Sequence, residues 1–287
     1  MTNMRKTIYL ALSILAAVSC VDINKGPESI YDKDVEILFK PDFQLWDSDT
    51  DVKEGTSAGL FVSLPGDGIS SENFYRNTEL TLGKDGQFVS DDALYYPKNS
   101  SRFDFILYSP HTEVEDGGFF SFGSSKDASG MLYSNNLRGK YKSFSPLKPI
   151  FRHIPARILL HLTAGTGISD SDLASAEIRL SDANLSGRFS LSDGTFTPDG
   201  DSGDILFEDA EGTKTCLAFP TPPGEQEKSF LSLTVGAMRF NVKLTGIAAF
   251  EYGRQYDFHA KVSVPGIEIS LINISDWNVN DESGSAR

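Results

Sequence analysis

Apolar and polar residues alternate with a period of two along most of the chain after residue 34. A period of two places alternate side chains on one face of an extended strand, so each run predicts a half-buried β-strand. The apolar positions of these runs are Val35, Ile37 and Phe39; Leu60, Val62 and Leu64; Phe103, Phe105 and Leu107; Ile158, Leu160 and Leu162; Ile178 and Leu180; Leu231, Leu233 and Val235; Met238, Phe240, Val242 and Leu244; Tyr256, Phe258, Ala260 and Val262; Ile267, Ile269 and Leu271.

Turn motifs rich in glycine and proline, such as PGDG, GKDG and PTPPGE, separate these runs. Only the stretch ISDSDLASAEI indicates a short helix, with Ser169 as its N-cap. Many short strands between such turns predict an all-β fold built from β-sandwiches. Two prolines in SFSPLKPI predict a boundary between domains at residues 35–148 and 149–277, followed by a flexible tail at 278–287.

The first nineteen residues have the layout of a secretory signal. Arg5 and Lys6 precede an apolar stretch that is too short to span a bilayer, and small residues then run into Cys20. This junction resembles a bacterial lipobox, although Ala17 stands where most lipoboxes carry leucine. The resemblance implies removal of residues 1–19, acylation of Cys20 with chains such as palmitate, and a lipidated tether at residues 20–34. A conventional signal cut near Ser19, with Cys20 an incidental thiol, is the alternative.

The net charge of −14 and the absence of a basic stripe argue against nucleic acid as a partner. Cys216, the second of two cysteines, lies in the apolar run KTCLAF and is predicted to be a buried, inert thiol. The sequence contains no H-E-x-x-H, C-x-x-C or P-loop motif. Residues 55–59, GTSAG, match G-x-S-x-G, but a nucleophile elbow needs its serine on a sharp strand-to-helix turn, and no helix is predicted after these residues. We therefore expect no catalytic residues, no metal site and no cofactor.

Two further motifs have a functional and a structural interpretation. Asp47, Asp49 and Asp51 resemble the start of a calcium-binding loop, but the glycine required at the sixth position is missing, which favours a solvated acidic loop. Aromatic residues at 73–75 and 117–122 lie on predicted loops. Packing is the favoured role for these aromatics, and contact with a glycan or host surface is the alternative.

Several phrases occur in the order found in one known family: DGQFVSDDALYYP, SSRFDFILYSPH, FRHIPARILLHLTA, SGRFSLSDGTF, FEYGRQYDFHAKV and ISDW. Together with the lipobox they resemble the fimbrillin-like (Mfa-like) lipoproteins of type V bacterial pili. The resemblance covers residues 35–277. It implies two transthyretin-like (Greek-key) β-sandwich domains that assemble into pili by strand exchange.

In the scheme that the resemblance implies, a protease removes the first strand, and the vacated groove accepts the C-terminal strand of a neighbouring subunit. The displaced strand would be residues 35–43, with Val35, Ile37 and Phe39 facing inward. The donor would be residues 267–275, with Ile267, Ile269 and Leu271 on one face.

Family members that form stalks are generally cut after an arginine in the loop behind the first strand. This chain has no arginine between Arg5 and Arg76, and that loop carries only Lys53. Cleavage at Lys53, cleavage by another protease and no cleavage all remain open.

The sequence thus predicts a structural or accessory subunit of cell-surface fimbriae that supports adhesion. We expect an exported protein, lipid-anchored at the outer membrane and cell surface. Its expected partners are other pilus subunits through strand addition and the outer membrane through the lipid, with a host protein or glycan as a further candidate. The alternative is a monomeric outer-membrane surface lipoprotein that binds glycan or host protein.

Overall fold

The structure, a computed structural model, describes residues 33–45, 52–98, 100–210 and 212–276. These residues form nineteen strands and two short helices, which confirms the all-β prediction. The elements of the first half are β1 (Asp42–Phe43), β2 (Ser57–Ser63), β3 (Tyr75–Leu82), β4 (Phe88–Val89), β5 (Arg102–Ser109), β6 (Phe119–Phe122), α1 (Ser125–Ala128), β7 (Leu132–Tyr141) and β8 (Ile150–His153). Those of the second half are β9 (Ala156–Ala164), α2 (Asp170–Ala174), β10 (Glu177–Asn184), β11 (Gly187–Ser190), β12 (Phe196–Pro198), β13 (Ser202–Leu206), β14 (Glu208–Ala210), β15 (Thr213–Ala218), β16 (Phe230–Val235), β17 (Met238–Lys243), β18 (Arg254–Ser263) and β19 (Gly266–Asp276).

The first half is built on a seven-stranded sheet with the order β1-β8-β7-β5-β2-β3-β4. All neighbours in this sheet are antiparallel except β1 and β8, which run parallel. Alternate side chains of its strands form one apolar cluster, to which Leu60, Phe103 and Phe105 contribute. This burial follows from the period-two pattern, because one face of each strand carries the apolar residues.

The second half is a β-sandwich. A five-stranded sheet with the order β14-β15-β9-β18-β19 packs against a four-stranded sheet with the order β13-β10-β16-β17. Their inner faces meet in a second apolar cluster that includes Ile158, Leu231 and Phe258. β9 and β18 lie in parallel at the centre of the larger sheet, and β19 pairs with β18 at its edge.

A small sheet joins the two halves. β6 pairs with β11, and β11 pairs with β12. The associated cluster contains Phe120 and Tyr133 from the first half and Phe189 and Phe196 from the second. The aromatic stretch at 117–122 was expected to be a loop, and that expectation is wrong for residues 119–122: they form β6 because β11 supplies their hydrogen-bond partners.

The predicted division between residues 148 and 149 falls immediately before β8, which pairs with β7 in the seven-stranded sheet. The two-domain boundary stays a prediction.

Local signals in the sequence are confirmed at several points. Ser169 caps α2 in a capping box with Asp172, because each side chain bonds the backbone N–H of the other residue. The β16–β17 hairpin turns at Gly236, whose φ of 57° suits a residue without a Cβ. Cys216 is buried in the second cluster.

Candidate functional site

The residues predicted to form the displaced strand close the seven-stranded sheet. We call residues 35–44 the closing segment. It lies between residues 88–96 on one side and residues 147–151 on the other. Without it, both of these stretches would be sheet edges with unpaired backbone groups.

Backbone hydrogen bonds hold the closing segment on both sides. On the antiparallel side the N–H···O bonds are Ile37 to Leu94 at 2.7 Å, Tyr96 to Val35 at 2.9 Å and Phe88 to Phe39 at 3.0 Å. On the parallel side they are Leu147 to Leu38 at 2.8 Å, Lys40 to Leu147 at 2.8 Å, Asp42 to Pro149 at 2.9 Å and Gln44 to Phe151 at 2.9 Å. The segment is thus a shared strand between two edges, although only residues 42–43 form a continuous ladder, β1.

The inward side chains of the closing segment are part of the core. Val35, Ile37 and Phe39 are 1%, 4% and 1% exposed, and Glu36 and Lys40 between and beyond them are exposed. The Phe39 ring meets the Phe105 ring edge-on, with centroids 5.8 Å apart. Burial of three such side chains contributes about 1.5–3 kcal/mol each, so loss of the segment would remove several kcal/mol of apolar burial from this core.

Phe43 extends the same face toward β8. Its ring stacks on Phe151, with centroids 4.9 Å apart and planes 19° apart, and meets Phe88 edge-on at 6.2 Å. The space under the closing segment therefore ends in an aromatic slot formed by Phe88 and Phe151. At the other end of the segment, Tyr96 N–H donates to the Val35 carbonyl, and burial raises the pKa of the Tyr96 phenol to about 12, so this side chain stays neutral.

Lys53 lies in an exposed turn directly before β2. Thr56 N–H donates to the Lys53 carbonyl at 2.9 Å, and Lys53 N–H donates to Thr56 Oγ1 at 3.1 Å. Lys53 is thus accessible in the connection between the closing segment and the rest of the sheet. Asp47, Asp49 and Asp51 lie outside the described residues, as does Cys20.

The predicted donor strand is β19. It pairs antiparallel with β18 of its own chain, with one bulge beside Asp257 and Phe258. Ile267, Ile269 and Leu271 are only partly buried against the second cluster. Ile272 and Ile274 are 59% and 44% exposed. β19 is an edge strand, so its outer row of backbone groups pairs with no other strand in the described residues.

The described residues contain no group of three or more His, Cys, Asp or Glu side chains placed to hold a metal ion. Three histidines make structural contacts. His153 is buried with Nδ1 2.7 Å from the Ser129 carbonyl oxygen, His259 Nε2 lies 3.1 Å from Thr163 Oγ1, and His111 Nε2 lies 3.2 Å from the Asn77 carbonyl oxygen. Burial also raises the pKa of the Cys216 thiol well above its ordinary value, which disfavours the nucleophilic thiolate. No helix in the part of the chain that the structure describes has the length and apolar character to cross a bilayer.

The two aromatic residues at 73–75, Phe74 and Tyr75, differ in position and exposure. Tyr75 begins β3, and Phe74 is partly exposed while its ring meets Phe103 edge-on at 5.9 Å. Packing against the first cluster therefore accounts for part of this surface. Phe74 keeps an exposed apolar face.

Comparison with known proteins identifies the class to which these features belong. The family model described as fimbrillin-like matches residues 47–277, which is most of the chain. The chain belongs to the fimbrillin-like family, and the resemblance seen in the sequence is confirmed.

Individual relatives agree with this assignment. A protein of Bacteroides uniformis named "Putative fimbrium subunit Fim1C" is 24% identical over 253 residues, which cover 81% of this chain and 82% of the relative. The crystal structure of a "putative cell adhesion protein" from Bacteroides uniformis is similar with a TM-score of 0.62 at 21% identity, over 85% of this chain and 99% of that one. The tip fimbrial protein Mfa3 of Porphyromonas gingivalis, truncated at its C-terminus, has a TM-score of 0.54 at 12% identity, over 85% and 100%. The two structures show a shared fold.

Proposed function

We propose that this protein is a structural or accessory subunit of cell-surface fimbriae that assembles by β-strand exchange and supports adhesion. Loss of the closing segment opens a groove in one subunit, and the C-terminal strand of another subunit fills it; β19 is the strand that this chain would donate. The work of the protein is then binding through backbone pairing and apolar burial, with no chemical step. Membership of the fimbrillin-like family and the fimbrial name of its relative support this proposal.

One observation carries the proposal: the closing segment is bonded to the sheet on both sides and buries Val35, Ile37 and Phe39 almost completely. A segment placed in this way leaves two unpaired edges and a row of alternate pockets when it departs. Those are the features by which a sheet binds an added strand. The pockets accept the side chains of an extended chain with apolar residues at alternate positions.

The donor also gains from the exchange. Ile267, Ile269 and Leu271 are partly buried on β18, whereas the positions that they would occupy in the groove are at most 4% exposed. Each side chain would add part of the roughly 1.5–3 kcal/mol that full burial contributes. This gain offsets the loss of hydrogen bonding between β19 and β18. In the groove, β19 would pair with a neighbouring stretch on each of its two sides.

Anchoring and maturation complete the proposal. Acylation of Cys20 would hold the exported protein at the outer membrane, because two or more acyl chains make membrane residence stable. Cleavage at Lys53 would separate the closing segment and its lipid from the rest of the chain. An uncut subunit would keep both and remain at the cell surface.

The proposal is tested by the formation of ladders on unheated SDS gels of surface protein. We expect ladders from the unmodified chain and their loss in Ile269→Asp, since aspartate cannot enter an apolar pocket. Ile272→Asp is the matched control: the same change on the same strand, at an exposed position, should leave the ladder intact. Equal ladders from the three proteins would overturn strand exchange through β19.

A second candidate function rests on the pairing of β19 with its own β18 while the closing segment is in place. A chain whose groove is filled by its own closing segment, and whose C-terminal strand pairs within the same chain, can act as a monomeric outer-membrane lipoprotein that binds glycan or host protein. Such a protein would give no ladder with or without Ile269→Asp. It would retain a glycan or host protein in an array, and Phe74→Ala would test the exposed ring as the contact.

A further inference from the structure

We propose that the groove under the closing segment selects the strand of a different subunit, one with large aromatic residues at its fifth and ninth positions, in preference to β19 of a second copy. This inference rests on the strand exchange proposed above. It names the chemistry of the partner at that same groove.

The closing segment is the template for what the groove accepts. Counted from Val35, its inward positions one and three are the aliphatic Val35 and Ile37, and positions five and nine are Phe39 and Phe43. Phe39 is 1% exposed against Phe105, and Phe43 occupies the slot formed by Phe88 and Phe151. The second half of the groove is therefore shaped around two phenyl rings.

β19 does not supply these rings. With Ile267, Ile269 and Leu271 placed at positions one, three and five, and in the same direction, Ser275 falls at position nine. Leucine is smaller than the ring of Phe39, and serine leaves the aromatic slot empty. Unfilled space of this kind weakens packing because the lining side chains lose contacts without a replacement.

Other registers of β19 fill the groove no better. A shift by two residues brings Trp277 to position nine, but it puts Asn273 at position five, where Phe39 is fully buried. An amide buried without a hydrogen-bond partner is costly. A shift in the other direction puts Pro265 at position one and Asn273 at position nine.

The outward positions give a second, independent mismatch. The closing segment carries Lys40 and Asp42 at exposed outward positions. In the first register β19 would place Ile272 and Ile274 there. A strand that evolved for this groove would be expected to carry polar residues at these positions, as the closing segment does. The two mismatches together point to a partner that is not a second copy of this chain.

The experiment measures peptide binding to the full chain with a site-specific protease sequence inserted after Lys53. After cleavage, peptides with the sequence of residues 35–43, the sequence of residues 267–275, and the latter with Leu271→Phe and Ser275→Phe compete for the groove. We expect the first and third peptides to bind about tenfold to a hundredfold more tightly than the second, a range that corresponds to two better-filled pockets. Uncleaved protein should bind none of them.

A control peptide separates the effect of ring position on affinity from the effect of added hydrophobicity. Residues 267–275 with Ser270→Phe and Asn273→Phe also gain two phenylalanines and lose only polar residues, so this peptide is at least as apolar as the aromatic one. Only one of its two rings faces the groove, and neither lies at position five or nine. This peptide should bind no more tightly than the unmodified one. Equal affinity of the unmodified and aromatic β19 peptides would overturn the selection of a different subunit and leave strand exchange intact. If none of the peptides binds the cleaved protein, strand exchange itself fails.

Discussion

Removal of the Phe39 side chain tests how strongly the closing segment holds the first half together. Phe39 is 1% exposed, its ring meets Phe105 at 5.8 Å, and its carbonyl accepts a hydrogen bond from Phe88 N–H. Phenylalanine-to-alanine changes in such positions cost about 3–5 kcal/mol, because the transfer free energy of the ring is lost and a cavity remains. We therefore expect Phe39→Ala to lower the free energy of unfolding by about 3–5 kcal/mol.

Two further variants calibrate this expectation. Phe39→Leu keeps a buried apolar side chain and should cost about 1 kcal/mol. Val89→Ala removes apolar atoms from a neighbouring strand at a position that is 54% exposed, and should change stability by at most about 0.5 kcal/mol. The predicted loss of stability decreases in the order Phe39→Ala, Phe39→Leu, Val89→Ala. This order is part of the prediction, because it depends on burial and not only on the number of atoms removed.

The assay is urea denaturation of the uncut chain, followed by the far-ultraviolet circular dichroism of the β-sheets. Stability is compared through the transition midpoint at constant m-value, because a changed m-value would mean a changed unfolded or native state. If the two halves unfold separately, the loss should appear in one transition only. A loss below about 1 kcal/mol for Phe39→Ala would refute the reasoning, since the segment would then contribute little to the core that surrounds it.

Three other predictions follow from named positions. Gly59→Ala should cost about 1–3 kcal/mol by thermal or urea unfolding, because a Cβ there would lie 2.3 Å from the Tyr108 ring, whereas Gly130→Ala, with open space around it, should be nearly neutral. In a variant without the other cysteine, Cys216 should resist iodoacetamide at pH 8 until the protein is denatured, since burial raises its thiol pKa; rapid labelling of the native protein would contradict this. Cleavage after Lys53 would give surface protein an N-terminus at residue 54, and Lys53→Gln should abolish it. If Edman sequencing of the variant still finds an N-terminus at residue 54, a lysine-specific protease is excluded.

The period-two pattern predicted strands such as β2, β5, β9 and β16 to β19, but it missed β3, β6 and β7 and did not give the partners of any strand. The alternation at residues 35–39 correctly gave the side chains that face inward, because parity within an extended chain is a local property. The bonds of the same residues to 88–96 and 147–151 join stretches about fifty and a hundred residues away. No local preference specifies such pairing, so the closing role of the segment was visible only in the structure and through the family resemblance.

Strand β5 shows a second limit of the pattern. Its sequence FDFILY predicted one buried face, with Phe103, Phe105 and Leu107 in the first cluster, and these residues are buried there. The opposite face is also buried, since Ile106 and Tyr108 belong to the cluster that joins the halves. Asp104 on that face is buried and accepts hydrogen bonds from Gly139 N–H at 2.6 Å and Gly66 N–H at 3.0 Å.

The placement of the closing segment has a mechanical consequence. Backbone hydrogen bonds lie perpendicular to the strands in an antiparallel pair and are slanted but still run across the strands in a parallel pair, such as β1 and β8. Tension applied along residues 35–44 would therefore load the bonds to both neighbours in shear and at the same time, instead of opening them one after another from an end. A joint of this geometry resists pulling along its length better than peeling from its side, so the direction of the load decides how much force this part of the protein withstands.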